Sequence, residues 1–273
     1  MTVGDYTYDV TLAGPAGGAP VVLLHGFPET AACWHPVLPA LARAGFRLIA
    51  PNQRGYSAGA RPAGVEHYAI DALGGDVLAL LDHLELRSAH LVGHDWGAAV
   101  AWWTAANHPD RVRSLTAVSV PHPAAFGWAL RMDDDQKARS RYIGVFRNGH
   151  SAEQVLLADG AGRLREIYAG VDPALVDEHV RVLTEPGALT AALSWYRAMG
   201  RDVAETPAVR VPTTYVWSDG DDALGRAGAE KCAEFVTGPY RFVELDSVNH
   251  WVPEQAPESL AAAIIARVEG VSA

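Results

Sequence analysis

The chain has 273 residues, 49% hydrophobic and 20% charged, enough apolar material for one large α/β domain with an insertion and too much for a disordered chain. Asp and Glu outnumber Lys and Arg by 32 to 22, a formal net charge of -10 that repels phosphate backbones, so nucleic-acid partners are excluded. Two cysteines, Cys33 and Cys232, give neither a disulfide framework nor a zinc cluster, and read as buried free thiols in a reducing compartment.

In chain order, the start at Met1–Tyr6 is polar and lacks the basic and apolar regions of a signal peptide, and no apolar run is long enough to span a bilayer. A soluble cytoplasmic protein with no membrane partner is expected. Val21–Leu24 predicts a strand buried on both faces, and Phe46–Ala50 predicts another, ended by Pro51. Helical spacing over Asp71–Leu84 leads to a third strand at Ala89–Val92. A helix over Ala98–His108 and a strand over Ser114–Ser119 follow. From His122 to Pro207 no strand is convincing, only helical segments rich in Arg, Asp and Glu. Strands resume at Thr213–Trp217 and Tyr240–Leu245, and a last helix runs from Pro257 to Val268. The alternation predicts a mostly parallel sheet with crossover helices. Residues 1–121 and 208–273 would form its core, and residues 122–207 a helical cap over the carboxyl ends of the strands.

The most informative segment is Leu91–Ala99, which has the form strand, G-x-D-x-G, helix. A sharp strand-to-helix turn needs small flanking residues, here Gly93 and Gly97, and lifts the central side chain, Asp95, beside the opening amides of the helix. The plain alternative is an ordinary aspartate helix cap. His25-Gly26-Phe27-Pro28 follows the first buried strand, where such folds supply a second backbone N–H; Phe27 and Trp96 are the candidate oxyanion donors. His250 lies in a loop after the last strand, and the order nucleophile, acid, histidine places the acid in Trp217–Leu224. Asp219, Asp221 and Asp222 compete there.

Together these motifs resemble the epoxide hydrolases of the α/β-hydrolase superfamily, over nearly the whole chain and in the family's order. The resemblance implies an α/β-hydrolase fold with an inserted cap, no cofactor, no metal and a small apolar epoxide as substrate. It implies Asp95 as nucleophile, His250 as base and, counting from Trp217, Asp221 as the acid that orients it. Ser218 departs from the family's glycine. Two cap tyrosines would hold and protonate the epoxide oxygen. Tyr196 in Leu193-Ser194-Trp195-Tyr196-Arg197 matches closely and Tyr142 more loosely. His25, Pro28, His94 and Trp251 would border the substrate pocket, His94 chiefly as a brace for the turn. Carboxylate attack on carbon gives an alkyl ester that activated water then hydrolyses. The rival readings are a haloalkane dehalogenase, whose halide-binding tryptophan Trp96 would also supply, and a ligand-binding protein without catalysis. The oligomeric state, a homodimer included, is left open.

Other residues read blandly: Tyr168 as packing with its hydroxyl at the surface, His108 as a helix end, Asp133–Asp135 as a solvated turn. His35, His67, His83 and His150 have no partner that the sequence names.

Overall fold

The computed structural model describes residues 1–149 and 151–272, so His150 lies outside the described residues. A short antiparallel pair, β1 (Thr2–Val3) and β2 (Tyr6–Thr7), precedes β3 (Val10–Ala13) and β4 (Pro20–Leu24). Then come α1 (Leu38–Arg43), β5 (Arg47–Pro51), α2 (Ile70–His83), β6 (Ala89–His94), α3 (Trp96–Asn107) and β7 (Val112–Val118). Helical segments follow: α4 (Pro123–Met132), α5 (Asp134–Arg139), α6 (Arg141–Arg147), α7 (Ser151–Glu166, two helical pieces joined by a non-helical break at Ala158–Ala161), α8 (Pro173–Leu183), α9 (Ala188–Ala198) and α10 (Arg201–Ala204). The chain closes with β8 (Thr213–Ser218), α11 (Arg226–Lys231), β9 (Tyr240–Leu245), α12 (Val252–Gln255) and α13 (Pro257–Ser272).

Seven strands form one sheet in the order β3-β5-β4-β6-β7-β8-β9, all parallel except β3, which runs antiparallel to β5. The fold is that of the α/β hydrolases. The alternation of side chains along each strand explains its two-sided packing. Val22, Leu24, Leu91 and Tyr215 face the layer made by α2 and α3, whereas Val21, Leu23, Val92 and Val216 face α1 and α13. These β4 side chains are essentially sealed from water, and each contributes roughly 1.5–3 kcal/mol by burial.

The six strands expected from apolar runs are present, with ends displaced by a few residues. Pro51 is the last residue of β5, not a stop before it. The edge strand β3 and the short pair before it were not anticipated: Leu12 is exposed, and an edge strand packed on one side has no continuous apolar run. His108 ends α3 as expected. Asp133 is more than a solvated turn, since its side chain accepts from the Gln136 N–H at 2.8 Å and starts α5. Cys33 and Cys232 are buried and free. Among the described residues no helix is long and apolar enough to cross a membrane.

Candidate active site

The turn from β6 to α3 carries Asp95 at φ 50° and ψ -120°, a backbone conformation that a side chain normally avoids. Neighbouring backbone holds it there: Ala98 N–H donates to the Asp95 carbonyl at 3.0 Å, and Asp95 N–H donates to Val118 O at 3.3 Å. The flanking glycines are dictated by space. A Cβ on Gly93 would lie 2.2 Å from the Gly97 carbonyl oxygen, and one on Gly97 would lie 2.1 Å from Leu24 O. Asp95 stands where a helix cap would, yet its side chain makes no cap hydrogen bond. Its Oδ1 instead accepts from Phe27 N–H at 2.8 Å, across the turn that follows β4. Trp96 opens α3, so its N–H is among the unpaired donors at a helix N-terminus, where negative charge is favoured.

His250 lies in the loop after β9. Its Nε2 is 3.5 Å from Asp95 Oδ2, and its Nδ1 is 2.9 Å from Asp221 Oδ2. Of the three competing carboxylates, Asp221 is thus the one that meets the histidine. Asp222 is exposed, and Asp219 accepts from Ser247 N–H at 2.6 Å. Asp221 Oδ1 also accepts from the N–H groups of Ala223 (2.8 Å) and Leu224 (2.9 Å). Burial opposes its ionisation, but His250 and these amides outweigh that and hold its pKa below the usual carboxylate range. Burial would likewise lower the His250 pKa. Asp221 and Asp95 reverse this and raise it well above the ordinary imidazole value. Ser218, where glycine was expected, ties the two loops together: its Oγ donates to Val248 O and accepts from Val248 N–H at 3.1 Å.

Two cavities meet at Asp95. One is walled by apolar groups including Trp96, Val120, Phe126, Ile143, Met199 and Leu224. The other is bordered by Phe27, Pro28, Arg139, Ile167, His250 and Trp251. Tyr142 from α6 and Tyr196 from α9 line both. Their rings meet edge-on, 6.2 Å apart at an 80° tilt. Burial first, and then the Asp95 charge, push the Tyr142 phenol upward. Burial, Tyr142 and Asp95 do the same to Tyr196, so both hydroxyls keep their protons. Among the described residues no three His, Cys, Asp or Glu groups could hold a metal ion.

His25 and His94, expected at the substrate pocket, line neither cavity. Both are fully buried with both ring nitrogens engaged. His25 Nδ1 donates to Gly26 O at 3.0 Å and its Nε2 accepts from Gln53 N–H at 3.1 Å; burial lowers its pKa to about 4, keeping it neutral. His94 bridges Glu29 Oε2 (Nδ1, 2.7 Å) and the His250 carbonyl (Nε2, 2.9 Å), so it braces the histidine loop from behind.

That buried polar layer was not visible in the sequence. Glu29 and Glu254 are neighbouring carboxyls under the site. Burial and the Glu29 charge push Glu254 well up, so it carries the proton. Burial opposes the Glu29 charge, but His94, His179 and Glu254 hold Glu29 down at about 2. Tyr168 is also corrected. Its hydroxyl is not at the surface but donates to Pro28 O at 2.6 Å, with the residue 3% exposed. The one available signal was Glu29 directly after the apolar Phe27-Pro28 turn, where a buried charge requires a partner.

Residues 19–257 match the family model described as the alpha/beta hydrolase fold. Epoxide hydrolase A of Mycobacterium tuberculosis is 33% identical, over 96% of this chain and 94% of that protein. The AB hydrolase superfamily protein YfhM of Bacillus subtilis is 34% identical, over 94% and 92%. The crystal structure of epoxide hydrolase A from Mycobacterium thermoresistibile superposes with a TM-score of 0.87 at 29% identity, covering 99% of this chain and 97% of that one. A parallel sheet with this elbow and these relatives places the chain in the α/β-hydrolase fold family, as a member of its epoxide hydrolases.

Proposed function

We propose that this epoxide hydrolase opens an apolar epoxide through a covalent ester on Asp95, with residues 122–207 acting as a cap that supplies the acids. The observation that carries the reading is the Asp95 carboxylate itself. It makes no cap hydrogen bond to the helix it begins, is held by Phe27 N–H on one oxygen, and faces His250 at 3.5 Å with the other.

In this mechanism Oδ2 attacks an epoxide carbon and the carbon–oxygen bond breaks. The departing oxygen takes its proton from Tyr142 or Tyr196. Oδ1 becomes the ester carbonyl oxygen, already at the Phe27 N–H. His250 Nε2, its ring held by Asp221, then removes a proton from water, which attacks Asp95 Cγ while Phe27 and Trp96 amides stabilise the oxyanion. Collapse expels the diol oxygen, which takes the proton from His250. The Asp95 acid returns its proton to the tyrosinate through His250 or solvent. The apolar walls favour an apolar epoxide substituent. The test is diol release from a styrene-type epoxide beside halide release from a bromoalkane. Diol without halide is expected, and halide without diol overturns the reading in favour of a dehalogenase.

Tyr196→Phe removes one of two acids without changing the ring. Epoxide opening should slow by roughly 10²-fold, the lower end for a general acid, with an unchanged melting temperature. An unaffected single-turnover rate would move the acid role elsewhere.

The pH dependence follows from charge. In the resting enzyme two carboxylates raise the His250 pKa. Ester formation neutralises Asp95, so in the intermediate only Asp221 raises it, and the value falls. Water activation needs neutral imidazole. Ester hydrolysis should therefore rise with pH through a midpoint below the one at which His250 titrates in the free enzyme. Quenched-flow decay of the ester compared with an NMR titration of His250 measures both, and an ester midpoint at or above the resting one contradicts this assignment.

A further inference from the structure

The segment between α7 and α8 holds both halves of the hydrolytic apparatus at once. Tyr168 Oη donates to the carbonyl of Pro28, the residue after the Phe27 N–H that touches Asp95. On either side of Tyr168, the cap backbone grips the histidine loop. Trp251 Nε1 donates to Ile167 O at 3.1 Å, and Asn249 Nδ2 donates to Ala169 O at 2.7 Å. Gln255 Nε2 also donates to Ala169 O, at 3.1 Å, and its Oε1 accepts from Asn249 N–H at 3.2 Å. The Tyr168 ring lies between His179 and Trp251, at 5.4 Å from each. Three consecutive cap residues thus join the oxyanion turn to the loop that carries His250.

Resting on the covalent reading above, we propose that Tyr168 and Gln255 are positioning residues for ester hydrolysis rather than for epoxide opening. Opening the epoxide drains charge from Asp95 and takes its proton from Tyr142 and Tyr196, which stand on α6 and α9, outside the clasp. Hydrolysis builds negative charge on Oδ1 opposite Phe27 N–H and requires His250 to be aimed at water. Both requirements meet in the clasp, so a loosened oxyanion turn or histidine loop costs most rate in the step that uses both.

The experiment is quenched-flow with a styrene-type epoxide, following the mass added to the Asp95 peptide, on the full-length Tyr168→Phe and Gln255→Leu variants. Tyr168→Phe keeps the ring and loses one buried hydrogen bond. Ester decay should slow by about fivefold to tenfold while ester formation stays within about twofold of wild type, and Gln255→Leu should shift the same ratio in the same direction. Glu185→Ala is the control. It cuts a different cap-to-core tie, the 2.8 Å ion pair to Arg61, and should leave the ratio of the two rates as in wild type. If Tyr168→Phe and Gln255→Leu leave decay unchanged, or slow both steps equally, the inference is overturned. A shift in ratio equal to theirs in Glu185→Ala overturns it too, because general cap docking would then suffice. If no ester forms even in His250→Gln, the covalent reading itself is removed, and this inference with it.

Discussion

Asp95→Asn should abolish turnover, by more than about 10⁴-fold, with the fold intact. The amide is nearly isosteric with the carboxylate, and its carbonyl oxygen can still accept the Phe27 N–H bond now made to Oδ1 at 2.8 Å. What is lost is the anionic oxygen facing His250, and neutral amide oxygen is a poor nucleophile toward saturated carbon. The strained elbow at φ 50° and ψ -120° is no harder for asparagine, whose side chain has the same branching and nearly the same size as that of aspartate. The thermal midpoint should therefore change little. Because His250 and the oxyanion donors remain, the amide can slowly hydrolyse to aspartate. Activity that returns on storage, with the Asp95 peptide reverting to its wild-type mass, would be explained by this route. Immediate wild-type activity in freshly purified protein would not.

His250→Gln should separate the two chemical steps. In the proposed mechanism epoxide opening uses Asp95 and the tyrosines, so the ester should form, while its hydrolysis loses the only base that faces Asp95 among the residues placed at the site. A fall of about 10²- to 10⁴-fold in ester decay is expected. Mass spectrometry after substrate addition should find substrate mass on the peptide containing Asp95. The substitution also has a structural cost. The buried Asp221 loses an ionic partner at 2.9 Å, although glutamine can still donate to it and the Ala223 and Leu224 amides remain. Breaking a buried ion pair outright costs roughly 3–5 kcal/mol, so the variant should melt lower but stay folded. An unmodified Asp95 peptide in a folded variant that still binds substrate would remove the covalent intermediate.

How much was legible depended on where each signal comes from. Strands such as Val21–Leu24 declare themselves because burial on both faces leaves no polar position, and β3 does not, because Leu12 faces solvent. The elbow was legible because steric exclusion at Gly93 and Gly97 writes itself into residue type. The residues alone left three neighbouring carboxylates open; the family resemblance, counted from Trp217, implied Asp221, and the structure brings that carboxylate to His250. Proximity in sequence suggested that His25 and His94 border the pocket, whereas the bracing role read first for His94 agrees with its bonds to Glu29 and the His250 carbonyl. Both stand near site residues in sequence, but the His25 ring is bonded to Gly26 O and Gln53 N–H and the His94 ring to Glu29 and the His250 carbonyl, so neither borders the two cavities. The Glu29–Glu254 pair and the Tyr168 clasp were out of reach for a different reason. Their partners lie far away along the chain, and a buried carboxyl or phenol is recognisable only once its surroundings are known.

The central claim is that the oxygen first added to the substrate comes from Asp95 and not from water. A single turnover in ¹⁸O-enriched water, with enzyme in excess over a styrene-type epoxide, tests it directly. The account predicts an unlabelled diol and one heavy oxygen in the Asp95 carboxylate, because water attacks Cγ and the original Oδ2 leaves with the product. A heavy oxygen in the diol of that first turnover, with an unlabelled Asp95 peptide, would mean that water attacks the epoxide directly and would contradict it.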